Sequence, residues 1–112
     1  MTQMTYLVRE GTQYTMEGSA PVYSVRITSK SGATPTITND ATLLMYVYKN
    51  GSDFTSTFTT GSMSVSGDTI TTKTFQALIG GDELHVTIFA TVDGVQGCVA
   101  EFPLIVRRKS GR

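Results

Sequence analysis

An internal disulfide is excluded from this 112-residue chain, because Cys98 is its only cysteine. The chain is therefore not one of the small secreted scaffolds held together by bridges. Tryptophan is absent and His85 is the only histidine, so one His and one Cys are too few for a four-ligand zinc site. Charged residues make up only 16% and cancel to a formal net charge of zero. No overall field then draws the chain towards nucleic acid or a membrane. No apolar run approaches the roughly 20 residues that cross a bilayer as a helix. The first residues, Met1-Thr-Gln-Met-Thr-Tyr6, lack the charged and apolar regions of a signal peptide. The expectation is a protein made in a reducing cytoplasm, with no membrane anchor and no need of metal or disulfide to fold.

Polarity comes instead from Thr and Ser, about a quarter of the residues, as suits exposed strand faces. Three two-residue turns stand between alternating apolar and polar runs. Asn50-Gly51 separates Leu43-Leu44-Met45-Tyr46-Val47-Tyr48 from Asp53-Phe54-Thr55-Ser56-Thr57-Phe58. An Asn-Gly pair tolerates the positive φ angles of a type I′ turn. This pairing predicts Val47 opposite Phe54 and Leu43 opposite Phe58, with Phe54 and Phe58 turned to the core and Tyr46 and Tyr48 to the other side. Gly67-Asp68 predicts Val65 opposite Ile70 and Met63 opposite Thr72. Asp93-Gly94 joins a strand whose Leu84, Val86, Ile88, Ala90 and Val92 share one face to a returning strand from Val95 to Val106. In the returning strand Val95 and Val99 fit that face, whereas Phe102, Leu104 and Val106 fall out of phase. A bulge near Gly97, or a strand apolar on both sides, is expected.

Upstream, 20–29 reads as a strand with Tyr23, Val25 and Ile27 on one side. Tyr6-Leu7-Val8 and Gln13-Tyr14-Thr15-Met16 read as a first strand broken at Gly11, and 30–40 as the one long connection. Seven to nine short antiparallel strands, with turns every 8–12 residues, predict an all-β, immunoglobulin-like β-sandwich over 1–106. A basic C-terminal tail, 107–112, follows it.

Two resemblances refine this reading. Leu78-Ile-Gly-Gly-Asp-Glu-Leu-His-Val-Thr-Ile-Phe-Ala-Thr-Val92, followed by Asp93-Gly94, resembles the corner and final hairpin of immunoglobulin-like and fibronectin-type domains. In those domains a Tyr follows the Leu by six residues; here that position is Leu84, which departs from fibronectin type III proper. Taken whole, 41–108 resembles the small immunoglobulin-like proteins of tailed-bacteriophage structural gene clusters. The likeness lies in Tyr-Lys-Asn-Gly at 48–51, a Ser/Thr-rich middle, Gly-Gly-Asp at 80–82, Ala-Thr-Val-Asp-Gly at 90–94 and the basic end. It implies a virion structural protein: a head-decoration, neck or tail-associated module, made in the host bacterial cytoplasm and present in many copies. It implies no catalytic residues and no cofactor.

The chemistry-bearing residues agree. The third hairpin sets Phe89 opposite Cys98, and His85 lies four residues from Phe89, roughly 13 Å along a strand. A Cys–His dyad needs hydrogen-bond reach, so Cys98 reads as a small buried hydrophobe and His85 as a strand residue near an edge. Asp82-Glu83 and Asp53 lack calcium-loop spacing and read as turn caps. Neither a phosphate loop nor a Gly-x-Ser-x-Gly elbow occurs, so no enzyme is expected. What remains is surface. Tyr46 and Tyr48 suit a protein contact, and Arg107, Arg108, Lys109 and Arg112 form either a solvated end or a contact for a negatively charged partner surface. No stacking platform accompanies that cluster, which disfavours nucleic acid. The expected partners are capsid, neck or tail subunits. The alternative is an immunoglobulin-like module that binds carbohydrate or a cell surface, with an intracellular enzyme or metal protein a third.

Overall fold

The computed structural model describes residues 8–9, 11–28 and 34–108. In chain order the elements are β1 (Val8–Arg9), β2 (Gln13–Met16), β3 (Ser24–Arg26), β4 (Ile37–Thr38), β5 (Leu44–Lys49) and β6 (Ser52–Asp53). A single helical turn, α1 (Thr55–Phe58), precedes β7 (Thr59–Thr60), β8 (Ser64–Ser66), β9 (Thr69–Thr71) and β10 (Thr74–Phe75). The chain closes with the two longest strands, β11 (Glu83–Val92) and β12 (Val95–Arg107).

The turn chemistry positions the sheet. Asn50 and Gly51 both adopt positive φ, 53° and 82°, and Asp93 and Gly94 repeat the pattern at 51° and 82°. Both turns are therefore type I′, whose twist matches that of paired strands. Around the second, β11 and β12 pair from Val92–Val95 to Glu83–Ile105, and β5 lies on the other flank of β11 with Val47 opposite Val86. Leu84, Val86, Ile88, Ala90 and Val92 are all buried, as the period of two requires.

Phe89 pairs with Cys98 but Ile88 pairs with Ala100, which leaves Val99 as the extra residue of a bulge. The insertion lets Val99 and Ala100 both turn inward and brings Phe102, Leu104 and Val106 into the core. The bulge sits two residues beyond the expected Gly97. Gly67-Asp68 likewise sets Val65 opposite Ile70, although this ladder ends at Ser64–Thr71, one residue short of the expected Met63–Thr72 pair.

The order β1-β12-β11-β5-β6, with β2 beside β12 and β4 beside β11, forms a seven-stranded sheet. It faces a three-stranded sheet, β3-β9-β8, accompanied by the β7–β10 ribbon. One continuous core joins the layers: Val25, Ile27 and Ile70 from the small sheet meet Val47, Val86 and Leu104 from the large one. Tyr23 edges onto Phe75 and Phe102 at 5.7 and 5.5 Å, so it links the two layers directly. The architecture is an immunoglobulin-like β-sandwich.

Several local expectations are corrected. The strands are not all antiparallel. β1 and β2 run parallel to β12, with Val8 beside Ala100 and Tyr14 beside Ile105, because the first segment joins the edge formed by the last strand. The break at Gly11 stands, while Tyr6 and Leu7 lie outside the described residues. The strand expected at 20–29 is regular only over Ser24–Arg26, and within 30–40 the short β4 pairs with Thr91 and Val92.

The strand expected after Asn50-Gly51 stops at Asp53. Phe54 N–H still donates to the Val47 carbonyl, 2.8 Å, but Asp53 Oδ1 captures the Thr55 amide and hydroxyl at 2.9 and 2.6 Å. The Thr55 hydroxyl in turn accepts the Val47 N–H, 2.8 Å. A side chain thus replaces the next rung of the ladder, and local capping of this kind competes with a strand. Phe58 reaches the core from α1 instead of from opposite Leu43.

Asp40 repeats the motif, accepting from the Thr42 amide and hydroxyl at 2.9 and 2.6 Å. The Thr42 hydroxyl and amide hold the Asp40 carboxyl below its usual range, and Thr55 does the same for Asp53. Asp68 is lowered chiefly by its bond to Arg26. Carboxylates depressed in the folded state contribute stability above the unfolded pKa, near 3.8, and lose it as pH falls through the lower folded value. A series of melting temperatures against pH should therefore be flat from neutrality to about 5 and decline below about 4. Asp53→Ala should remove part of that acid limb.

Candidate functional site

With the inner faces of both sheets closed by the core, chemistry and recognition are left to the outer faces. That of the small sheet is largely hydroxylated. Ser24, Thr71 and Ser64 lie in one row and Arg26, Thr69 and Ser66 in the next. Ser24 Oγ and Thr71 Oγ1 are 3.2 Å apart, and Arg26 is bound to Asp68 at 2.9 Å.

The outer face of the large sheet is different. Tyr46 and Tyr48 alternate with buried Met45 and Val47 on β5, so they face outward, as expected. Their rings lie 6.2 Å apart, and Tyr46 meets Phe89 edge-on at 5.7 Å. Phe89 has Leu44 and Cys98 as its cross-strand neighbours, and Leu44 is 43% exposed. Thr87, paired with Tyr46 on one side and Glu101 on the other, has a hydroxyl shut off from water without a hydrogen-bond partner among the described residues. At the opposite corner Tyr14 and Met16 are 54% and 42% exposed, and the Arg107 guanidinium stacks over Tyr14 at 4.6 Å.

The residues expected to bind a partner are thus only partly gathered. Tyr46, Tyr48 and Arg107 share one face, but Arg107 lies two strands and four residues from the row of Tyr48, His85 and Pro103. That is roughly 10 Å across and 13 Å along the sheet. Arg107 belongs to β12 and so lies within the regular structure, beyond the boundary expected at 106. Lys109 and Arg112 lie outside the described residues.

Arg108 leaves the face and packs against the turn at Gly80 and Gly81. A Cβ added at Gly80 would fall 2.7 Å from Arg108 Cα and 2.8 Å from Glu17 Oε1. Backbone on one side cannot rotate away, so Gly80→Ala should cost about 1–3 kcal/mol of stability. Urea unfolding with an unchanged slope would register it.

Four apolar members of the face, Tyr14, Met16, Leu44 and Phe89, went unassigned in the sequence reading. The available signal was spacing: Phe89 lies on the His85-Thr87-Thr91 side of β11, and Tyr14 and Met16 are two apart.

Cys98 and His85 are not brought together. Cys98 is half-buried opposite Phe89, and His85 is opposite Pro103. Burial pushes the Cys98 thiol up, and the nearby Glu101 charge adds to this. His85 sits on a central strand, not near an edge, and its Nε2 meets Glu101 Oε1 at 3.2 Å. Asp82 meets Lys49 Nζ at 3.1 Å, and among the described residues no three His, Cys, Asp or Glu side chains gather as a metal site.

No protein-family model matches the chain, and no curated protein does. Among solved structures, the crystal structure of the titin domains Z1Z2 in complex with telethonin is similar, with a TM-score of 0.44 and 18% identity. It covers 96% of this chain, which spans 46% of the titin chain. A chimeric titin Z1Z2 functionalized with a KLER exogenous peptide from decorin gives a TM-score of 0.39 and 15% identity, covering 96% of this chain and 95% of that one. Likeness at this level carries no statement about activity or partners.

Proposed function

We propose that this chain is a non-enzymatic docking module that binds another protein through the outer face of its seven-stranded sheet. In its finer form the proposal is a bacteriophage virion structural protein, on the head, neck or tail. The observation that carries the docking reading is the set of aromatic and aliphatic side chains on that face: Tyr46, Tyr48, Phe89 and Leu44, with Tyr14 and Met16 at the far corner. Tyr contributes large contact area at little entropic cost, and such a face contrasts with the hydroxylated one opposite. Support for the virion setting comes from the resemblance over 41–108. Quantitative mass spectrometry of purified particles from the phage that encodes the chain tests it. Many copies per particle are expected, and recovery only from the particle-free supernatant would contradict the virion reading.

A further inference from the structure

We infer that the end of the docking face nearest the Asn50-Gly51 turn receives a basic side chain, Lys or Arg, presented by the partner protein. The inference rests on the docking reading and adds the chemistry of the occupant. A cleft of about 460 Å³ opens there, bounded by Tyr48, Asn50, Glu83, His85 and Pro103. That volume falls within the range of small-ligand sites and admits one long side chain with its flanking backbone.

The wall is in place before anything binds, because the Tyr48 ring is held against Tyr46 and the row Tyr48-His85-Pro103 is fixed by strand register. Glu83 is exposed, and among the described residues no ion pair engages it. The nearby cations are committed elsewhere. Lys49 binds Asp82 and lies 6.0 Å over the Phe54 ring, and Arg107 is stacked on Tyr14. His85 is turned to Glu101.

An aromatic plane beside an uncommitted carboxylate serves a guanidinium or ammonium group twice, by cation–π attraction and by a charge-assisted hydrogen bond. An anionic occupant would instead be set against Glu83, and an apolar one would bury that carboxylate unpaired. Charge complementarity therefore selects the cation.

Titration of the isotope-labelled full chain with N-acetyl-arginine methylamide, followed by amide chemical shifts, tests the inference. Saturable shifts are expected at Tyr48, Gly51, Glu83 and His85. The uncharged citrulline analogue should bind about tenfold more weakly, and the surface variant Glu83→Gln should weaken arginine roughly 2–5-fold while leaving distant shifts in place. Equal responses to citrulline, no saturation at the solubility limit, or saturation only by a neutral disaccharide would each overturn it. Should arginine fail while Tyr46 and Tyr48 substitutions still abolish docking, the basic-side-chain inference falls and the docking reading stands. Should arginine bind at the cleft while those substitutions leave docking intact, the docking reading falls and the partner-borne side chain falls with it, leaving only a cleft with affinity for arginine.

Discussion

Phe102→Ala is expected to lower the unfolding free energy by about 3–5 kcal/mol. Phe102 is 1% exposed and projects from β12 onto Val86 of the adjacent strand and onto Tyr23, whose own ring also meets Phe75. Its removal opens a cavity at an aromatic cluster that joins the two sheets. Tyr23 is tied by its backbone bonds to Thr72 and Val86 by its place in β11, so neither can move in to fill it, relaxation is small and the cost falls at the high end of the usual range. Since a domain of this size holds only about 5–15 kcal/mol in total, the variant should melt roughly 12–25 °C lower. Differential scanning calorimetry gives the number. A drop of only a few degrees would mean that the layers are held together elsewhere.

The second large effect concerns docking and should leave the fold almost untouched. Tyr46→Ala with Tyr48→Ala removes two rings from the outer face, where they pack on each other and on Phe89. The residues that build the core from this strand, Met45 and Val47, point the other way. Melting temperature should fall by no more than a few degrees. Association with the partner should weaken by about 2–4 kcal/mol, or roughly 30- to 1000-fold, if the two tyrosines behave as anchors at the centre of an interface. Competition between variant and unmodified protein for the docking partner measures this, with purified particles as that partner under the virion proposal. Equal occupancy by both would place the contact on another surface.

Much of the architecture was legible because it rests on turn chemistry and alternation. Asn50-Gly51 and Asp93-Gly94 can hardly be anything but tight hairpin turns, and the alternation on β11 then decides which face is buried. The phase change in 95–106 required an irregularity, and Val99 supplies it two residues past the glycine that was expected to mark it. Two features were hidden for physical reasons. The parallel pairing of β1 and β2 with β12 depends on contacts across nearly the whole chain, which local pattern does not register. The turn α1 replaces a strand because two side chains, Asp53 and Thr55, outbid the backbone for Val47 and for each other. The Asp-x-Thr spacing that drives it occurs also at 40–42, so the signal was present but was read as alternation.

The candidate site was half legible. Tyr46 and Tyr48 declared themselves by standing opposite an apolar face, whereas Phe89 was masked by the polar residues that alternate with the core on β11. The basic end reads as one cluster in sequence. In space Arg107 joins the outer face and Arg108 turns to Gly80 and Gly81, because successive strand residues point to opposite sides.

The central claim is that the outer face of the seven-stranded sheet, and not the hydroxylated face opposite, is the surface used. Hydroxyl-radical footprinting of the free and docked protein asks this directly, since tyrosine and methionine report on the large sheet and the exposed Arg26 on the small one. Modification of Tyr14, Met16, Tyr46 and Tyr48 should fall severalfold on docking while that of Arg26, on the outer face of the small sheet, stays unchanged. Protection of Arg26 with those four residues still reactive would contradict it.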